Sequence, residues 1–275
     1  MPELALTPLH APNWQPLHQA TPALRLGKLP AQHDPRTLML ADYLKVAQLP
    51  QPPVKKSWSD FVKAYQMFLN DKIGDCTCAT AGHMINVWSA AAGKPIVLTN
   101  NDILNLYERV SGYDPNTGQN DNGANEQAVL NEWRKNGVGG NKLGAYASVV
   151  QPGKPLDEEL LQAAIWLFGG AYIGVELPLA AQHQQVWDAP RMRRPFGQYA
   201  PGSWGGHAVP IVDYDDSTGM YTVVTWGGLQ QATSRWIRMY MSEAYALLDS
   251  VWFNGENEAP SGFDLATLQK DLAGI

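Results

Sequence analysis

The chain has 275 residues, a formal net charge of −6 and 17% charged residues, which are ordinary values for a globular protein. This length is enough to bury a sizeable core within one domain. Nucleic acids and anionic membranes attract a concentrated basic surface, which a chain of this charge does not provide. We therefore expect neither nucleic acid nor a membrane as the main partner.

Targeting segments and disulfides are not expected either. The N-terminus lacks the basic start and apolar run of a signal peptide. The longest uncharged stretch, residues 160–175, is interrupted by Gly169 and Gly170, so it predicts a buried helix and strand rather than a membrane span. Cys76 and Cys78 are too close on one helical turn for a normal disulfide. Unpaired thiols favour a reducing compartment and are themselves candidates for chemistry.

The chain divides into three predicted parts. Residues 1–55 form an extended N-terminal arm, rich in proline, in which residues 49–56 are typical of a linker or surface strap. Residues 56–255 form the folded domain. Residues 256–275 form a C-terminal tail with a short helix.

The first half of the domain is predicted to be helical. Residues 76–93 carry apolar side chains at helical spacing, and Asp75 before them predicts an N-cap. Further helices are predicted at residues 101–110, 126–136 and 156–168, with a polar loop rich in Gly and Asn between the first two of these.

The second half is predicted to be mostly strands. Strands are expected at residues 171–178, 207–215 and 220–228, and a short turn joins the last two into a β-hairpin. A last helix is predicted over about residues 233–248. Helices followed by strands predict an α+β domain in which a helical lobe packs on a sheet lobe.

Cys76 and His207 are the residues most suited to chemistry. Cys76 lies in the first turn of its helix, where the helix dipole stabilises a thiolate and lowers the thiol pKa. His207 follows two glycines at a strand end and could reach a thiol on a facing helix, giving the pair that nucleophilic catalysis by cysteine requires. Alternatively, Cys76 is a small core residue and His207 a hydrogen-bonded strand-end residue. Cys78 lies deeper in the helix and is predicted to be packed.

Four short motifs occur in order along the chain: Trp58-Ser59-Asp60, Gly74-Asp75-Cys76, Gly206-His207-Ala208-Val209 and Thr225-Trp226-Gly227. Over about residues 54–250, this order resembles the papain-like cysteine peptidases. The resemblance implies a long central helix that begins at the catalytic cysteine and packs on an antiparallel sheet or barrel. Ile73 stands where the family has a half-cystine, which fits an intracellular member. The motifs also resemble papain-like proteins of bacteria and phages.

The resemblance implies a role for each matching residue. Cys76 would attack the substrate carbonyl, and His207 would hold the thiolate and later protonate the leaving group. Asn70 would donate a side-chain N–H to the oxyanion hole beside the backbone N–H of Cys76. The family has a longer Gln at this position, so Asn70 reaches less far, and it is alternatively a turn-forming residue.

The residue that would orient the histidine departs from the family pattern. The family's Asn aligns with Val224, which cannot hydrogen-bond an imidazole, although Thr225 beside it could. Trp226 would shield the histidine from water or is simply a core aromatic. Trp226, Gly123 and Gly206 are expected to contact the substrate. No cofactor is expected, and no metal, because the other histidines lack metal-ligand spacing.

Two functions remain open. The first is a cysteine-dependent hydrolase, either a peptidase acting on a peptide or protein substrate or a related acyl-transfer enzyme. The second is a catalytically weakened fold that serves as a binding or structural protein, for example in a virion. Cys76 and His207 favour the first, whereas Val224 and Asn70 favour the second. The expected location is cytoplasmic or virion-associated.

Overall fold

The helices lie mainly in the first part of the chain and the strands in the second. A computed structural model describes residues 24–32, 34–44, 51–253 and 258–262. Its helices are α1 Leu40–Tyr43, α2 Cys76–Ala91, α3 Asn100–Ser111, α4 Glu126–Asn136, α5 Glu158–Phe168 and α6 Ser234–Tyr240. Its strands are β1 Lys55–Ser57, β2 Leu143–Ser148, β3 Ala171–Leu177, β4 Val186–Trp187, β5 Gly205–Asp215, β6 Met220–Thr225, β7 Gly228–Thr233 and β8 Met241–Asp249. Of the predicted C-terminal tail, residues 258–262 are described and are not helical, and the rest of residues 256–275 lies outside the described residues.

The described strands form one sheet in the order β2-β8-β3-β5-β6-β7-β4, with β1 pairing to β5 beside this path. Only the short β4–β7 pair is parallel. β5 is the longest strand, so its first half pairs with β3 while its second half pairs with β6 and β1. The predicted α+β architecture is confirmed.

Helix α2 is buried along almost its whole length and packs against β5. Since a helix that is apolar on every side is stable only inside a protein, other elements must surround it. On the side of α2 that faces the other helices, the surrounding elements are α3 and α4. A capping box between Thr99 and Asp102 starts α3, and the Asn125 side chain caps α4.

Three buried indoles converge on the end of α5. Each donates its ring N–H to a carbonyl in the last turn of this helix, where carbonyls have no partner within the helix itself. The bonds run from Trp58 to Ile165 (2.8 Å), from Trp88 to Phe168 (2.7 Å) and from Trp252 to Leu167 (2.9 Å). They connect the segment after β1, the end of α2 and the segment after β8 to one point.

The helix predicted over residues 233–248 is wrong in its second half. α6 ends at Tyr240, and β8 begins at the next residue. β8 fills the position between β2 and β3, where its backbone pairs on both sides. Pairing within the sheet therefore outweighs local helix propensity. The strands β2, β4 and β7 were not predicted, and β1 begins within the segment interpreted as a linker.

Gly169 is required by the packing of the indoles. It follows α5 with φ of 73°, and an added Cβ would lie 2.7 Å from ring atoms of both Trp88 and Trp252. Gly153 has a similar φ of 74° with open space around it. We expect Gly153→Ala to cost about 1–2 kcal/mol from backbone strain alone. Gly169→Ala should cost at least about 2 kcal/mol more, because the indoles cannot move without breaking their bonds.

Urea unfolding of both variants measures this difference. Equal destabilisation of the two would show that the indole cluster accommodates a methyl group and does not constrain the end of α5.

Candidate active site

The chain turns sharply just before α2. Phe68 and Leu69 have positive φ angles of 54° and 69°, and α2 then begins at Cys76 as predicted. Asp75 occupies the N-cap position, as predicted, but its side chain makes no capping bond. Its backbone (φ −97°, ψ 17°) is not extended as in a typical N-cap. The carboxyl group is instead buried, and burial raises the pKa of Asp75 well above its ordinary value.

His207 lies near the start of β5 and is held on two sides. Its Nε2 is 2.8 Å from Oγ1 of Thr225 at the end of β6. Its ring stacks on the Trp226 indole, with 4.3 Å between centroids and 13° between planes. Trp226 and Gly227 have positive φ angles of 44° and 73° in the turn between β6 and β7. The second ring nitrogen, Nδ1, is buried and has no hydrogen-bond partner among the described residues.

Strand alternation separates Val224 from Thr225. Neighbouring residues of a strand point to opposite faces, so Val224 faces away when Thr225 contacts His207. The partner of the imidazole is thus one residue later than the motif alignment suggested. The alternative based on Thr225 is the one that this geometry supports.

Cys76 lies against the strand that carries His207. The backbone N–H of Ala208, the next residue of β5, interacts with the Cys76 sulfur and lowers its pKa. Burial has a larger and opposite effect, and the pKa of Cys76 is raised to about 12. Burial also lowers the pKa of His207 to about 3. The expected low thiol pKa is therefore wrong for this covered arrangement, because burial outweighs the helix dipole.

Residues 24–30, termed the covering segment, lie over this site. The backbone N–H of Ala124 donates to Gly27 (2.8 Å), and that of Leu29 donates to Ala124 (3.0 Å). On the other side, the N–H of Lys28 donates to Gly206 (3.2 Å). Gly27 also presents its N–H to the Cys76 sulfur. The segment thus lies between the helical lobe and β5 in extended pairing with both.

The glycines predicted to contact substrate lie beside the covering segment. A Cβ at Gly123 would collide with the Gly27 carbonyl, and one at Gly206 would collide with the Lys28 carbonyl. Gly123 also has a positive φ of 80°. The absence of side chains at these two positions is what lets a peptide backbone approach.

Asn70 and Trp226 meet the covering segment at a single carbonyl. The oxygen of Arg25 accepts a bond from Asn70 Nδ2 (3.5 Å) and another from Trp226 Nε1 (3.1 Å). Asn70 Nδ2 also donates to the carbonyl of Ile73 (3.3 Å). Both predicted site residues can therefore donate to a peptide carbonyl of the segment that covers Cys76.

Four charged residues, Lys28 of the covering segment and three glutamates around it, were missed by sequence reasoning. Lys28 is fully buried, with Nζ 3.0 Å from Glu176 and 3.2 Å from Glu243. Glu126 at the start of α4 is also buried, with no hydrogen-bond partner among the described residues. Burial lowers the pKa of Lys28, but the three carboxylates outweigh it and raise the pKa. The one available signal was Glu176, a charge inside an apolar strand sequence.

The part of the chain that the structure describes holds no group of three or more His, Cys, Asp or Glu side chains suited to a metal ion. Within the same residues, every helix is too short or too polar to cross a membrane.

Comparison with known proteins identifies the fold. No family model and no curated protein matches the sequence. Among solved structures, the chain is similar to xylellain, a cysteine protease from Xylella fastidiosa (16% identity, 82% of this chain and 96% of that chain, TM-score 0.60). It is also similar to proCathepsin B S9 from Trypanosoma congolense (9%, 86% and 93%, 0.58) and to digestive procathepsin L 3 from Tenebrio molitor (11%, 84% and 76%, 0.55).

These similarities show that the chain has a papain-like fold, as its motifs predicted. At 9–16% identity they show the fold alone. The bacterial or phage origin that the motifs suggested stays a prediction.

The bond between Thr225 and His207 should contribute measurably to stability. Thr225→Val leaves a buried ring nitrogen without a partner, so we expect a loss of about 1–3 kcal/mol in the free energy of unfolding. Thr222→Val is the matched control, because its buried hydroxyl on the same strand has no partner within the part of the chain that the structure describes. That substitution should be nearly neutral. Urea unfolding at pH 7 compares the two, and equal effects would mean that the bond does not hold the imidazole.

Proposed function

We propose that this chain is a cysteine peptidase in which His207 activates Cys76, and that the covering segment keeps it latent. The arrangement of His207 is the observation that carries this proposal. Its Nε2 is bound to Thr225 and its ring is fixed on Trp226, while Nδ1 is buried and unbonded. The strand that carries this imidazole also touches the Cys76 sulfur at the start of α2.

Hydrolysis would proceed in two steps. His207 Nδ1 takes the thiol proton, and the Cys76 sulfur adds to the substrate carbonyl carbon. The imidazolium then gives its proton to the leaving amine as the C–N bond breaks, which leaves a thioester. Water, deprotonated by the same nitrogen, attacks the thioester and regenerates the thiol and the acid product. Thr225 positions the ring throughout by fixing Nε2.

The charge that develops on the carbonyl oxygen requires donors. The backbone N–H of Cys76 at the helix start is one, and Nδ2 of Asn70 is the other. Asn70 already donates to a carbonyl of the covering segment, which supports this role although the side chain is shorter than Gln. Trp226 covers the imidazole and supplies a further N–H to the peptide backbone.

Latency follows from the position and orientation of the covering segment. Its Gly27 presents an N–H to the Cys76 sulfur, so no carbonyl carbon of that residue is placed for attack. By excluding water, the segment also disfavours the charged thiolate and imidazolium. With a thiol pKa of about 12, only about one thiol in 10⁵ is ionised at pH 7.

The alternative of a catalytically weakened binding or structural protein rested largely on Val224. Since Thr225 contacts Nε2 of His207, that argument loses its force. The geometry therefore favours a latent enzyme over a degenerate one.

Displacing the covering segment should activate the thiol. A Cβ at Gly27 would collide with the carbonyl of Gly74, so Gly27→Ala should move the segment away from Cys76 within the intact chain. We expect iodoacetamide to modify this variant at least ~100-fold faster than the unmodified chain at pH 7, because exposure lowers the thiol pKa. The unmodified chain should approach the same rate only as the pH rises towards about 12.

Gly153→Ala is the matched control and should not change the rate, because open space surrounds that residue. Cleavage of fluorescent casein by Gly27→Ala, abolished by Cys76→Ser, would establish the peptidase. A Gly27→Ala variant with an accessible thiol but without hydrolysis would instead favour the binding or structural protein.

The two thiols should differ sharply in the Gly27→Ala variant. Cys78 is fully buried within α2, and burial raises its pKa well above the ordinary value. Peptide mass mapping after brief alkylation should therefore find the label on Cys76. If Cys78 were labelled first, the assignment of the nucleophile would be wrong.

A further inference from the structure

The side chain of Lys28 enters a pocket that the proposed mechanism does not use. The acidic pocket is formed by Glu126 at the start of α4, Glu176 on β3 and Glu243 on β8. The Lys28 side chain is completely buried there, with ion pairs of 3.0 Å to Glu176 and 3.2 Å to Glu243. Three acidic residues therefore surround a single ammonium group.

Gly174 makes room for this pocket. It pairs with Glu243 across the sheet and shares a face with Glu176 two residues later. An added Cβ at Gly174 would lie 2.5 Å from Glu126 Oε1 and 2.8 Å from Glu243 Cγ, and it would also collide with the Lys28 side chain. The hydroxyl of Tyr245 donates to the second oxygen of Glu243 (2.9 Å) and fixes its orientation.

The pocket lies next to the reaction centre. Gly27 contacts the Cys76 sulfur, and Lys28 is the adjacent residue, with its N–H bound to Gly206. A peptide whose carbonyl carbon reached that sulfur would place a neighbouring side chain near the opening of the pocket. The Glu176 side chain is 34% exposed, so the pocket is open to solvent on that side.

Displacement of the covering segment removes the positive charge but leaves the three acids. Glu126 and Glu243 lie in the protein interior, where a carboxylate without a counter-charge is strongly disfavoured. With a neutral or acidic side chain in the pocket these groups would have to bind protons, because burial raises the pKa of Glu126 and of Glu243. A lysine or arginine side chain would restore the ion pairs that Lys28 makes.

We propose that the acidic pocket determines the specificity of this chain by selecting peptides with a basic side chain next to the residue attacked by Cys76. Lys28 occupies the pocket while the site is covered. This inference rests on the proposed peptidase function and names its substrate class. The competing explanation is that the acids serve only to anchor the covering segment.

Peptide binding to an inactive, uncovered full-length chain tests this inference. Cys76→Ala combined with Gly27→Ala supplies that protein, and circular dichroism checks that it is folded. The probes are three fluorescein-labelled hexapeptides that differ at one position, which is Lys, norleucine or Glu. We expect the Lys peptide to bind at least about tenfold more tightly than the norleucine peptide by fluorescence anisotropy, and the Glu peptide to bind most weakly.

Substitutions in the pocket assign the preference to its acids. Glu176→Gln, at the most exposed of the three, should reduce Lys-peptide binding severalfold and leave norleucine binding unchanged. Glu243→Gln should reduce Lys-peptide binding more than Glu176→Gln does, provided that the variant folds. Glu132→Gln is the control on α4, because Glu132 pairs with Arg109 on α3 outside the pocket.

Three results would overturn the inference and leave the acids as an anchor for the covering segment. These are equal binding of the three peptides, no binding of any of them, and a Lys preference that Glu176→Gln does not change. The rate of alkylation at Cys76 and the cleavage of casein test the proposed peptidase separately. The inference about specificity can therefore be wrong while the proposed peptidase activity is right, and the peptidase activity can be wrong while the preference for a basic side chain is observed.

Discussion

The end of helix α5 is the point on which the arrangement of the two lobes depends. Three indole N–H groups satisfy carbonyls there that the helix itself leaves unpaired. One indole, Trp88, belongs to α2, so the far end of the central helix is fixed relative to the sheet lobe. Because α2 is rigid, its first residue, Cys76, is then held against β5. A single anchoring point therefore sets the position of the thiol about three turns away.

Burial decides the chemical state of the site. The covering segment excludes water from Cys76 and His207, and both pKa values move in the direction that favours neutral groups. The same helix start and imidazole, exposed to solvent, would favour the ion pair. The latency that we propose therefore needs no distortion of Cys76 or His207. It requires only that a peptide backbone pairs with Ala124 and Gly206.

The covering segment buries the acids of the pocket and also supplies the positive charge that compensates for their burial. Burying the pocket acids would be unfavourable without a cation, and Lys28 supplies one within the same segment. Its side chain and its backbone therefore hold the segment in different ways. The backbone bonds are independent of sequence, whereas the ion pairs require a basic residue at this position.

The sequence by itself determined the helix that begins at Cys76, the strand that carries His207 and the order of the papain-like motifs. These depend on local spacing of apolar residues and on short motifs, which are visible along the chain. The sequence did not decide whether Val224 or Thr225 contacts the imidazole of His207. Once the register of β6 with β5 and β7 was known, the alternation of side chains along β6 showed that this residue is Thr225.

Tertiary structure alone decided the rest. The conversion of residues 241–249 into a strand depends on β2 and β3, which lie far away in the sequence. The grouping of Lys28 with Glu126, Glu176 and Glu243 depends on four separate segments meeting at one place. The raised pKa of Cys76 followed from burial, which outweighs the effect of its own helix start, in a site over which residues about fifty positions earlier lie. Pairing and burial over long sequence distances are set by the packing of the whole chain, so local sequence could not reveal them.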